Sequence, residues 1–320
     1  MRRIYASVDL GATNTACGLA SEEGEFLVER TIPTLSSQGS EAVLERIAAV
    51  VARMAAEAGE KPLALGMGVP GLVDRETGIT LFLPNLPTQW RGVAVARMLA
   101  AHIGCPVYLL NDVRLATLGE MTFGLGYKAC SMVFFAIGTG IGGGLVVDGK
   151  LRLGALGAAG ELGHQTILPD GPLCGCGNHG CLETLASGPA IMAEGVRLLR
   201  SGLAPQLDVL TGGRIELVTP KEMGAAAEAG DQAVREAILR AAGYLGIGVA
   251  NMVCALHPDL VVLGGGVMGL GALLIDTVRA TVRNRVRMFP VDHVLIERSV
   301  LDDKAGLYGG IALALQGGVL

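Results

Sequence analysis

Glycine is the feature that most constrains how this sequence can fold. The chain contains 48 glycines among 320 residues, about twice the usual share of roughly 7%. They cluster in short runs without a collagen period, and three runs follow predicted strands. One run could be purely structural in so glycine-rich a chain, but three at strand ends favour close approach of the backbone to a ligand.

Length and charge exclude several classes of protein. A chain of 320 residues is long enough for two domains or one large one. Hydrophobic residues make up 51% and charged residues 17%, the reverse of a disordered chain. Because the net charge is -5, the chain has no field to attract nucleic acid or anionic lipid, and we expect neither as a partner.

The mean hydropathy of +0.50 raises the question of a membrane span. The uncharged stretch 129–147 is rich in glycine, and the stretch 241–258 contains Asn251 and His257 and ends in Pro258. We therefore expect no membrane span and a buried helix in the second stretch. Residues 1–9 hold no apolar segment of signal-peptide length, which predicts a cytoplasmic protein.

The first 112 residues show alternating strand and helix patterns. A three-stranded meander is predicted over residues 4–10, 16–20 and 26–29, with a tight turn at Gly11-Ala12-Thr13. Helices are expected from Ser40, as N-cap, to Gly59 and over 93–102, and strands over 63–69 and 106–110. Asn111 and Asp112 follow the last strand, at the edge where α/β sheets bind ligands.

A similar pattern restarts near residue 131. It predicts a strand over 131–137, a glycine turn over 138–144 and a strand over 145–148, followed by helices within 221–257 and 272–286 and a strand over 260–263. The repetition predicts duplicated α/β lobes with a cleft between them. We expect a small lobe of residues 1–112 with the C-terminal helix 304–320, and a large lobe of residues 113–303.

The seven cysteines divide into two groups. Four are predicted to be core residues without disulfides, namely Cys17, Cys105, Cys130 and Cys254. The others form the pattern H-x9-C-x-C-x4-C with His164, Cys174, Cys176 and Cys181, which predicts a closed tetrahedral zinc site. A free-thiol loop and His179 as fourth ligand are alternatives. A nucleic-acid zinc finger is disfavoured because residues 154–185 contain no Lys or Arg.

Four acidic residues are candidates for the chemistry. Glu161 and Glu183 flank the cysteine cluster, and carboxylates in a fixed loop favour a sugar or polyol ligand. Asp112 could accept a hydroxyl proton during attack on phosphorus, or could simply cap the following helix. Asp9 could lie near Mg²⁺ beside phosphate-binding N–H groups of residues 11–14, or could be a turn residue.

No P-loop motif is present, but two other glycine patterns occur. Gly138, Gly140 and Gly143 match G-x-G-x-x-G before a predicted strand, which favours a phosphate-facing hairpin over a dinucleotide fingerprint. Gly264, Gly266 and Gly269 match the same pattern before a possible helix, which leaves an NAD-dependent enzyme as an alternative.

One set of motifs, within residues 140–188, is highly specific. It comprises Gly140–Gly144, Gly149, Gly154, Gly157, the run Gly160-Glu161-Leu162-Gly163-His164, the run from Cys174 to Glu183, and Ala186-Ser187-Gly188. These motifs resemble the ROK family of bacterial sugar kinases and repressors. The resemblance implies an α/β, two-lobed, actin-like or hexokinase-type ATPase fold with ribonuclease H-like duplicated lobes.

The resemblance also implies roles for individual residues. Asp112 would be the catalytic base, and Asn111, Glu161, His164 and Glu183 would contact sugar hydroxyls, with His164 also a zinc ligand. The remaining expected contacts are with ATP, namely Asp9, Gly11, Thr13, Asn14, Gly138, Thr139, Gly140, Gly142 and Gly143 at the phosphates and Gly264, Gly265 and Gly266 near the adenosine.

Two residues depart from the family pattern. Ala12 replaces a usual glycine, which is tolerable if its φ angle is negative. Arg114 stands where many relatives have Asn, and it could lie near the phosphoryl group or point to solvent.

The resemblance favours a glucokinase acting on the 6-hydroxyl of glucose with ATP, Mg²⁺ and structural Zn²⁺. N-acetylmannosamine, fructose or mannose as substrate, polyphosphate as donor and a non-catalytic sugar-sensing regulator are alternatives. The regulator is disfavoured because the first hairpin begins within ten residues of Met1. We expect sugar and nucleotide as partners, and a homodimer or homotetramer.

Overall fold

The computed structural model describes residues 3–320, so the first two residues of the predicted small lobe and of the segment tested for a signal peptide lie outside the described residues. The chain divides into two compact units. Unit 1 consists of the residues up to Lys128, Lys150–Ala159 and Val300–Leu320, and unit 2 consists of Ala129–Gly149 and Gly160–Ser299.

The first part of unit 1 alternates strands and helices as predicted. Its elements are β1 (Ile4–Leu10), β2 (Asn14–Ser21), β3 (Phe26–Pro33), α1 (Ser40–Ala58), β4 (Leu65–Val69), β5 (Leu72–Asp74), β6 (Ile79–Phe82), α2 (Val95–Ile103), β7 (Val107–Asn111) and α3 (Asp112–Phe123). The prediction that Ser40 caps α1 is wrong. Gly39 is the N-cap residue, with a φ of 89° that glycine adopts readily, and Ser40 is the first helical residue.

The remaining elements contain most of unit 2 and two pieces of unit 1. They are β8 (Met132–Ile137), β9 (Ile141–Val147), β10 (Lys150–Arg152), α4 (Leu182–Ala186), α5 (Gly188–Arg200), α6 (Pro205–Thr211), α7 (Pro220–Glu228), α8 (Gln232–Leu256), β11 (Leu260–Gly264), α9 (Ala272–Arg285), β12 (Leu295–Arg298) and α10 (Ala305–Leu315). β10 and α10 lie in unit 1. Three helices were not predicted, namely α4, α5 and α6. α4 follows Cys181, α5 follows Ser187, and α6 begins at Pro205.

The two units repeat one strand order. The sheet of unit 1 runs β3-β2-β1-β4-β7, with β1 antiparallel to β2 and parallel to β4, and β4 parallel to β7. In unit 2 the corresponding order is β9-β8-β11-β12, with β8 antiparallel to β9 and parallel to β11, and β11 parallel to β12. The predicted duplication of an α/β lobe is therefore confirmed.

Close contact between α10 and its neighbours determines where unit 1 ends. A side chain at Gly66 of β4 would collide with the carbonyl of Gly310, and one at Gly309 would collide with the carbonyl of Leu115 in α3. Because α3 packs on α10, it belongs to unit 1. Unit 1 thus ends at Lys128 and resumes for its last part at Val300. The predicted lobes have their boundaries at residues 112 and 304, and these lobe boundaries stay a prediction.

α8 is the central helix of unit 2. Within residues 3–320 it is the one helix long and apolar enough to cross a membrane, yet 56% of its most apolar window is buried inside the unit. Val234, Ile238, Leu245 and Val249 are fully buried along it. The prediction of a buried helix in the stretch 241–258 is confirmed.

The prediction that four of the cysteines are core residues is wrong for two of them. Cys17 and Cys105 are buried, but Cys130 and Cys254 are exposed. Cys130 lies in the turn before β8, where its carbonyl accepts from the amide of Gly149, and Cys254 lies on the outer face of α8, next to the buried Val253. All seven cysteines are free in the part of the chain that is described.

The predicted glycine turn over 138–144 is shorter than expected. β9 begins at Ile141, so Gly142, Gly143 and Gly144 are strand residues. A side chain at Gly143 would collide with Leu162, which packs against the strand. Glycine is therefore used here to let a neighbouring segment approach a strand, and not to form a turn.

The space around each glycine predicts opposite effects of Gly→Ala substitution at two sites, one in the contact between α10 and β4 and one in α8. Gly310→Ala should lower the free energy of unfolding by about 1–3 kcal/mol, because the methyl group would overpack against Gly66 and Ser7. Gly243→Ala in α8 meets open space and should raise it by about 0.5–1 kcal/mol through helix propensity. Urea unfolding of both variants measures this, and equal stabilities would contradict the packing.

Candidate functional site

Two carboxylates meet at the carboxyl edge of the sheet in unit 1. Asp9 pairs in register with Gly68, and Asn111, which precedes Asp112, pairs with Val69. A methyl group on Gly68 would lie 3.3 Å from Asp9 Oδ1 and 3.3 Å from the Cα atom of Asp112. Asp9 Oδ2 occupies the space where a side chain of Gly306, in the first turn of α10, would lie. The structure thus brings the predicted base and the predicted magnesium ligand together.

The proximity of Asp112 changes the acidity of Asp9. Burial, followed by the negative charge of Asp112, raises the pKa of the Asp9 carboxyl from 3.8 to about 7. Bringing two carboxylates together is unfavourable unless a cation or a proton lies between them. Magnesium prefers such oxygen ligands, so this donor set fits the predicted Mg²⁺.

Asn111, and not Asp112, is the N-cap of α3. The Oδ1 atom of Asn111 accepts from the amides of Val113 (3.1 Å) and Arg114 (3.2 Å), and its Nδ2 donates to the carbonyl of Gly71 (3.2 Å). Asp112 lies in the first helical turn, and its Oδ1 accepts from the amide of Val113 (2.9 Å). The alternative that Asp112 is the capping residue is therefore wrong, because the preceding side chain fills that role.

Of the two positions suggested for Arg114, the one that points to solvent is wrong. Its side chain is buried, with 2% of the residue exposed, so it does not point to solvent. Its guanidinium donates to Asn111 Oδ1 (3.0 Å) and to the carbonyls of Ala158 (3.0 Å) and Ala159 (2.9 Å). The sequence could have indicated that Arg114 is buried, because it lies three and four residues before Thr117 and Leu118, which are also buried on α3.

The first glycine turn has the expected exposed backbone. The amide of Gly11 donates to the carbonyl of Asn14 (3.0 Å), and the Thr34 hydroxyl donates to the carbonyl of Gly11 (2.7 Å). Ala12, Thr13 and Asn14 are exposed. Ala12 is absent from the positive-φ residues of the described chain, so its methyl group is tolerated.

The second glycine turn, in unit 2, is held by α4 and α5. The amide of Gly138 donates to the carbonyl of Gly140 (2.9 Å), and the first amide of α5, at Gly188, donates to the carbonyl of Gly138 (2.9 Å). Glu183 of α4 accepts from the amide of Ile141 (2.9 Å) through Oε2 and leaves no room for a side chain at Gly140. Thr139 is exposed at the tip.

The third glycine run follows β11. Gly264 is buried at the end of the strand, and Gly265 has a φ of 92° and would collide with the carbonyl of Ile137 if it carried a side chain. Gly266 begins a short 3-10 helix that ends at Leu270, and α9 starts at Ala272. Because a dinucleotide fingerprint opens directly into a helix, this geometry disfavours the NAD alternative.

The predicted metal ligands converge in unit 2. The ligand atoms of His164, Cys174, Cys176 and Cys181 all lie within 4.8 Å of one another. His164 Nδ1 is 3.6 Å from Cys174 Sγ, and Cys176 Sγ is 3.8 Å from Cys181 Sγ. Tetrahedral zinc with ordinary Zn–S and Zn–N bonds separates its ligand atoms by about 3.6–3.8 Å. The donor set therefore fits zinc.

The alternative with His179 as fourth ligand is disfavoured by the same geometry. His179 is exposed, and its Nδ1 lies 3.1 Å from the carbonyl of Gly171. The loop returns close to itself at Gly180, where a side chain would collide with the carbonyl of Leu168. This contact directs Cys181, and not His179, toward the other cysteines.

The predicted sugar ligands of unit 2 surround the cysteine cluster. With Nδ1 of His164 facing Cys174, its Nε2 lies 3.9 Å from Glu161 Oε2. Glu183 Oε1 lies 3.9 Å from Cys174 Sγ, on the side opposite its bond to Ile141. A ligating imidazole is commonly oriented by a carboxylate on its other nitrogen. The structure thus brings Glu161, His164 and Glu183 together.

Comparison with known proteins identifies relatives along nearly the whole chain. The family model described as "ROK family" matches residues 5–317. A glucokinase from Thermotoga maritima is 36% identical over 309 residues, covering 96% of this chain and 95% of that protein. A xylose repressor from Caldicellulosiruptor bescii is 32% identical, covering 97% of this chain and 77% of the repressor.

Solved structures agree with the sequence relatives. The structure of a ROK family glucokinase from Streptomyces griseus in complex with glucose and AMPPNP has a TM-score of 0.85 and 33% identity, covering 98% of this chain and all (100%) of that one. The ROK hexokinase structure from Thermus thermophilus has a TM-score of 0.79 and 34% identity, covering 98% of each chain. The predicted fold class, an actin-like, hexokinase-type α/β fold, is confirmed.

The raised pKa of Asp9 predicts a pH-dependent stability in magnesium-free buffer. Folding raises the pKa of this carboxyl from 3.8 to about 7, so the folded state binds the extra proton and loses stability as the pH rises through that interval. Asp9→Asn removes the penalty, and we expect the variant to gain about 4 kcal/mol over the wild type at pH 8 and little at pH 4.

Urea unfolding at the two pH values measures this difference. Asp112→Asn removes the second cause, so it should lower the Asp9 pKa in a carboxyl ¹³C titration. The same stability difference at both pH values would contradict the assignment.

Proposed function

The chain belongs to the ROK family, and we propose that it is a glucokinase that transfers the γ-phosphoryl group of ATP to the 6-hydroxyl of glucose. The observation that carries this proposal is the full-length match to a glucokinase at 36% identity, together with a carboxylate, Asp112, at the ligand-binding edge of its sheet. In the enzyme classification, the proposed activity is that of an ATP:hexose 6-phosphotransferase of the EC 2.7.1.2 type.

Asp112 would act as the base. It accepts the proton of the 6-hydroxyl while that oxygen forms a bond to the γ-phosphorus, and the bond from phosphorus to the oxygen of ADP breaks. Asn111, Glu161, His164 and Glu183 would hold the other hydroxyls. Oε2 of Glu183 already accepts the amide of Ile141, which leaves Oε1 for a hydroxyl. The single Oδ1 of Asn111 is already occupied and one Nδ2–H is bonded to Gly71, which leaves its second Nδ2–H as a donor to the sugar.

The glycine turns would bind the phosphates. Backbone amides of Thr13 and Asn14 are candidates in unit 1, and those of Thr139 and Gly140 in unit 2. Gly11 and Gly138 would shape these turns, because their own amides donate to the carbonyls of Asn14 and Gly140. Gly142 and Gly143 lie in β9 and would contribute there by carrying no side chain. Gly264, Gly265 and Gly266 would lie near the adenosine. Mg²⁺, held by Asp9, would supply charge neutralisation of the phosphates.

Zinc would have a structural role. Three thiolates and one imidazole close the coordination shell and leave no position for water, so the metal would fix a loop and not activate a nucleophile. By fixing Cys174 and His164, it would orient the neighbouring carboxylates of Glu183 and Glu161.

A sugar-sensing regulator is the second candidate, supported by the 32% identity to a xylose repressor. This chain covers 95% of the glucokinase and 77% of the repressor. N-acetylmannosamine, fructose or mannose as substrate and polyphosphate as donor are further alternatives. We also infer a cytoplasmic location and a homodimer or homotetramer whose partners are small molecules.

A coupled assay of ADP release with Mg-ATP tests the function. The sugars would be glucose, mannose, fructose, N-acetylglucosamine and N-acetylmannosamine, and we expect the highest kcat/KM for glucose. Turnover of another sugar alone would reassign the substrate. Binding of sugar without turnover of any would contradict the kinase and favour the regulator.

The role of Asp112 predicts a separation of turnover from binding. Asp112→Asn should lower kcat by about 10²–10⁴-fold, the usual contribution of a general base, while the Kd for glucose changes less than about threefold. Asp208→Asn, on the exposed surface of α6, is the matched control and should keep full activity. Retained turnover in Asp112→Asn would refute the assignment of the base.

The zinc site predicts a defined metal content. Protein purified without added metal should contain about one zinc per chain, bound by the closed four-ligand set. Cys176→Ser should lower the zinc content and the Tm, whereas Cys130→Ser, an exposed cysteine outside the cluster, should change neither. Folded, sugar-binding protein without metal would contradict the proposal.

A further inference from the structure

Arg114 is a buried cation that the chemistry described above does not use. Only 2% of the residue is exposed, and burying a guanidinium is unfavourable unless its N–H groups are bonded. Its position is therefore set by its partners. These partners lie on two separate segments of unit 1, the start of α3 and the segment after β10.

The first partner lies beside the proposed base. Nη1 of Arg114 donates to Oδ1 of Asn111 (3.0 Å), the same oxygen that caps α3 by accepting the amides of Val113 and Arg114. Asn111 is in turn bonded through Nδ2 to the carbonyl of Gly71 (3.2 Å). Arg114 thus holds the Asn111 side chain in one orientation, and Asp112 is the next residue along the chain.

The second partners end the loop that precedes the proposed sugar ligands. Nη2 and Nε of Arg114 donate to the carbonyls of Ala158 (3.0 Å) and Ala159 (2.9 Å). The amide of Ala159 donates to the carbonyl of Leu153 (2.9 Å), which closes the loop 153–159 on itself. Leu156 at the tip of the loop is 77% exposed, and Glu161 follows two residues after Ala159.

We infer that Arg114 is a positioning residue that fixes the start of α3 and the end of the loop 153–159 relative to each other within unit 1. The inference rests on the proposed kinase function, because it takes Asn111 as a sugar ligand and Asp112 as the base. The rigid planar guanidinium bonds three acceptors in fixed directions, which a lysine ammonium cannot reproduce. Removing it should loosen the sugar ligands and misplace the base.

Substitution of Arg114 tests this inference through kinetics on the full chain. Arg114→Met should lower kcat/KM for glucose by roughly 100-fold, through a lower kcat and a higher KM for glucose, because small misplacements of reacting groups are costly. The KM for ATP should change less than about threefold, since the hydrogen bonds of Arg114 to Asn111, Ala158 and Ala159 lie outside the proposed phosphate-binding turns. The kcat/KM of Arg114→Lys for glucose should lie between the values of Arg114→Met and the wild type.

Two controls separate positioning from general loss of structure. Arg97→Met removes an exposed arginine from α2 of the same unit and should leave kcat/KM unchanged. In Arg114→Ala, guanidinium chloride at a non-denaturing concentration should restore part of the activity, whereas urea at the same concentration should not. Rescue requires the guanidinium group itself, so a merely structural side chain would not show it. If Arg114→Ala does not fold, Arg114→Lys carries the test.

Amide hydrogen exchange gives a readout that does not depend on turnover. Segments 111–116 and 156–164 should exchange faster in Arg114→Met than in the wild type, while α1 should be unchanged. If the wild type phosphorylates no sugar, the proposed function fails, and exchange alone decides the positioning role. Wild-type kinetics in Arg114→Met, equal losses in the KM values for glucose and ATP, absence of rescue, or unchanged exchange would overturn the inference.

Discussion

Backbone segments in this protein pass one another at distances that leave no room for a side chain. In unit 1, α10 lies directly on β4 at Gly66 and Gly310, and Asp9 fills the space above Gly306. In unit 2, a side chain at Gly163 would collide with the carbonyl of Ile141, so the segment carrying His164 lies against β9. The glycine content is therefore chiefly a packing constraint, since a β-carbon at any of these points would force the elements apart.

The close packing also orients the side chains of the candidate site. Glu183 bonds the amide of Ile141 with one oxygen and approaches Cys174 with the other, and His164 faces Cys174 and Glu161 through its two nitrogens. Asp9, by contrast, faces another carboxylate and has a pKa of about 7 as a result of burial and that charge. The first arrangement orients side chains, and the second favours a cation or a proton between its two carboxylates. Oriented ligands and a bound cation are what the proposed phosphoryl transfer to a sugar would use.

The sequence was informative where a residue type alone dictates the chemistry. The H-x9-C-x-C-x4-C spacing predicted a cluster that the structure brings together. Hydrophobic alternation predicted β1, and the apolar stretch 241–258 predicted the buried part of α8. It was uninformative where a role depends on a neighbour distant in sequence. Nothing local indicates that Gly143 makes room for Leu162, or that Arg114 reaches the carbonyls of Ala158 and Ala159. Cys130 and Cys254 look like core residues by composition, yet their places in a turn and on an outer helix face expose them.

The proposed function depends most on proton transfer from the 6-hydroxyl of glucose to Asp112. A crystal structure of the wild-type protein with glucose and a non-hydrolysable ATP analogue tests this step. We expect an Asp112 carboxylate oxygen about 2.6–3.2 Å from O6 of the sugar, within reach for proton transfer. A bound glucose that presents a different hydroxyl to Asp112, or that places O6 beside another residue, would contradict it.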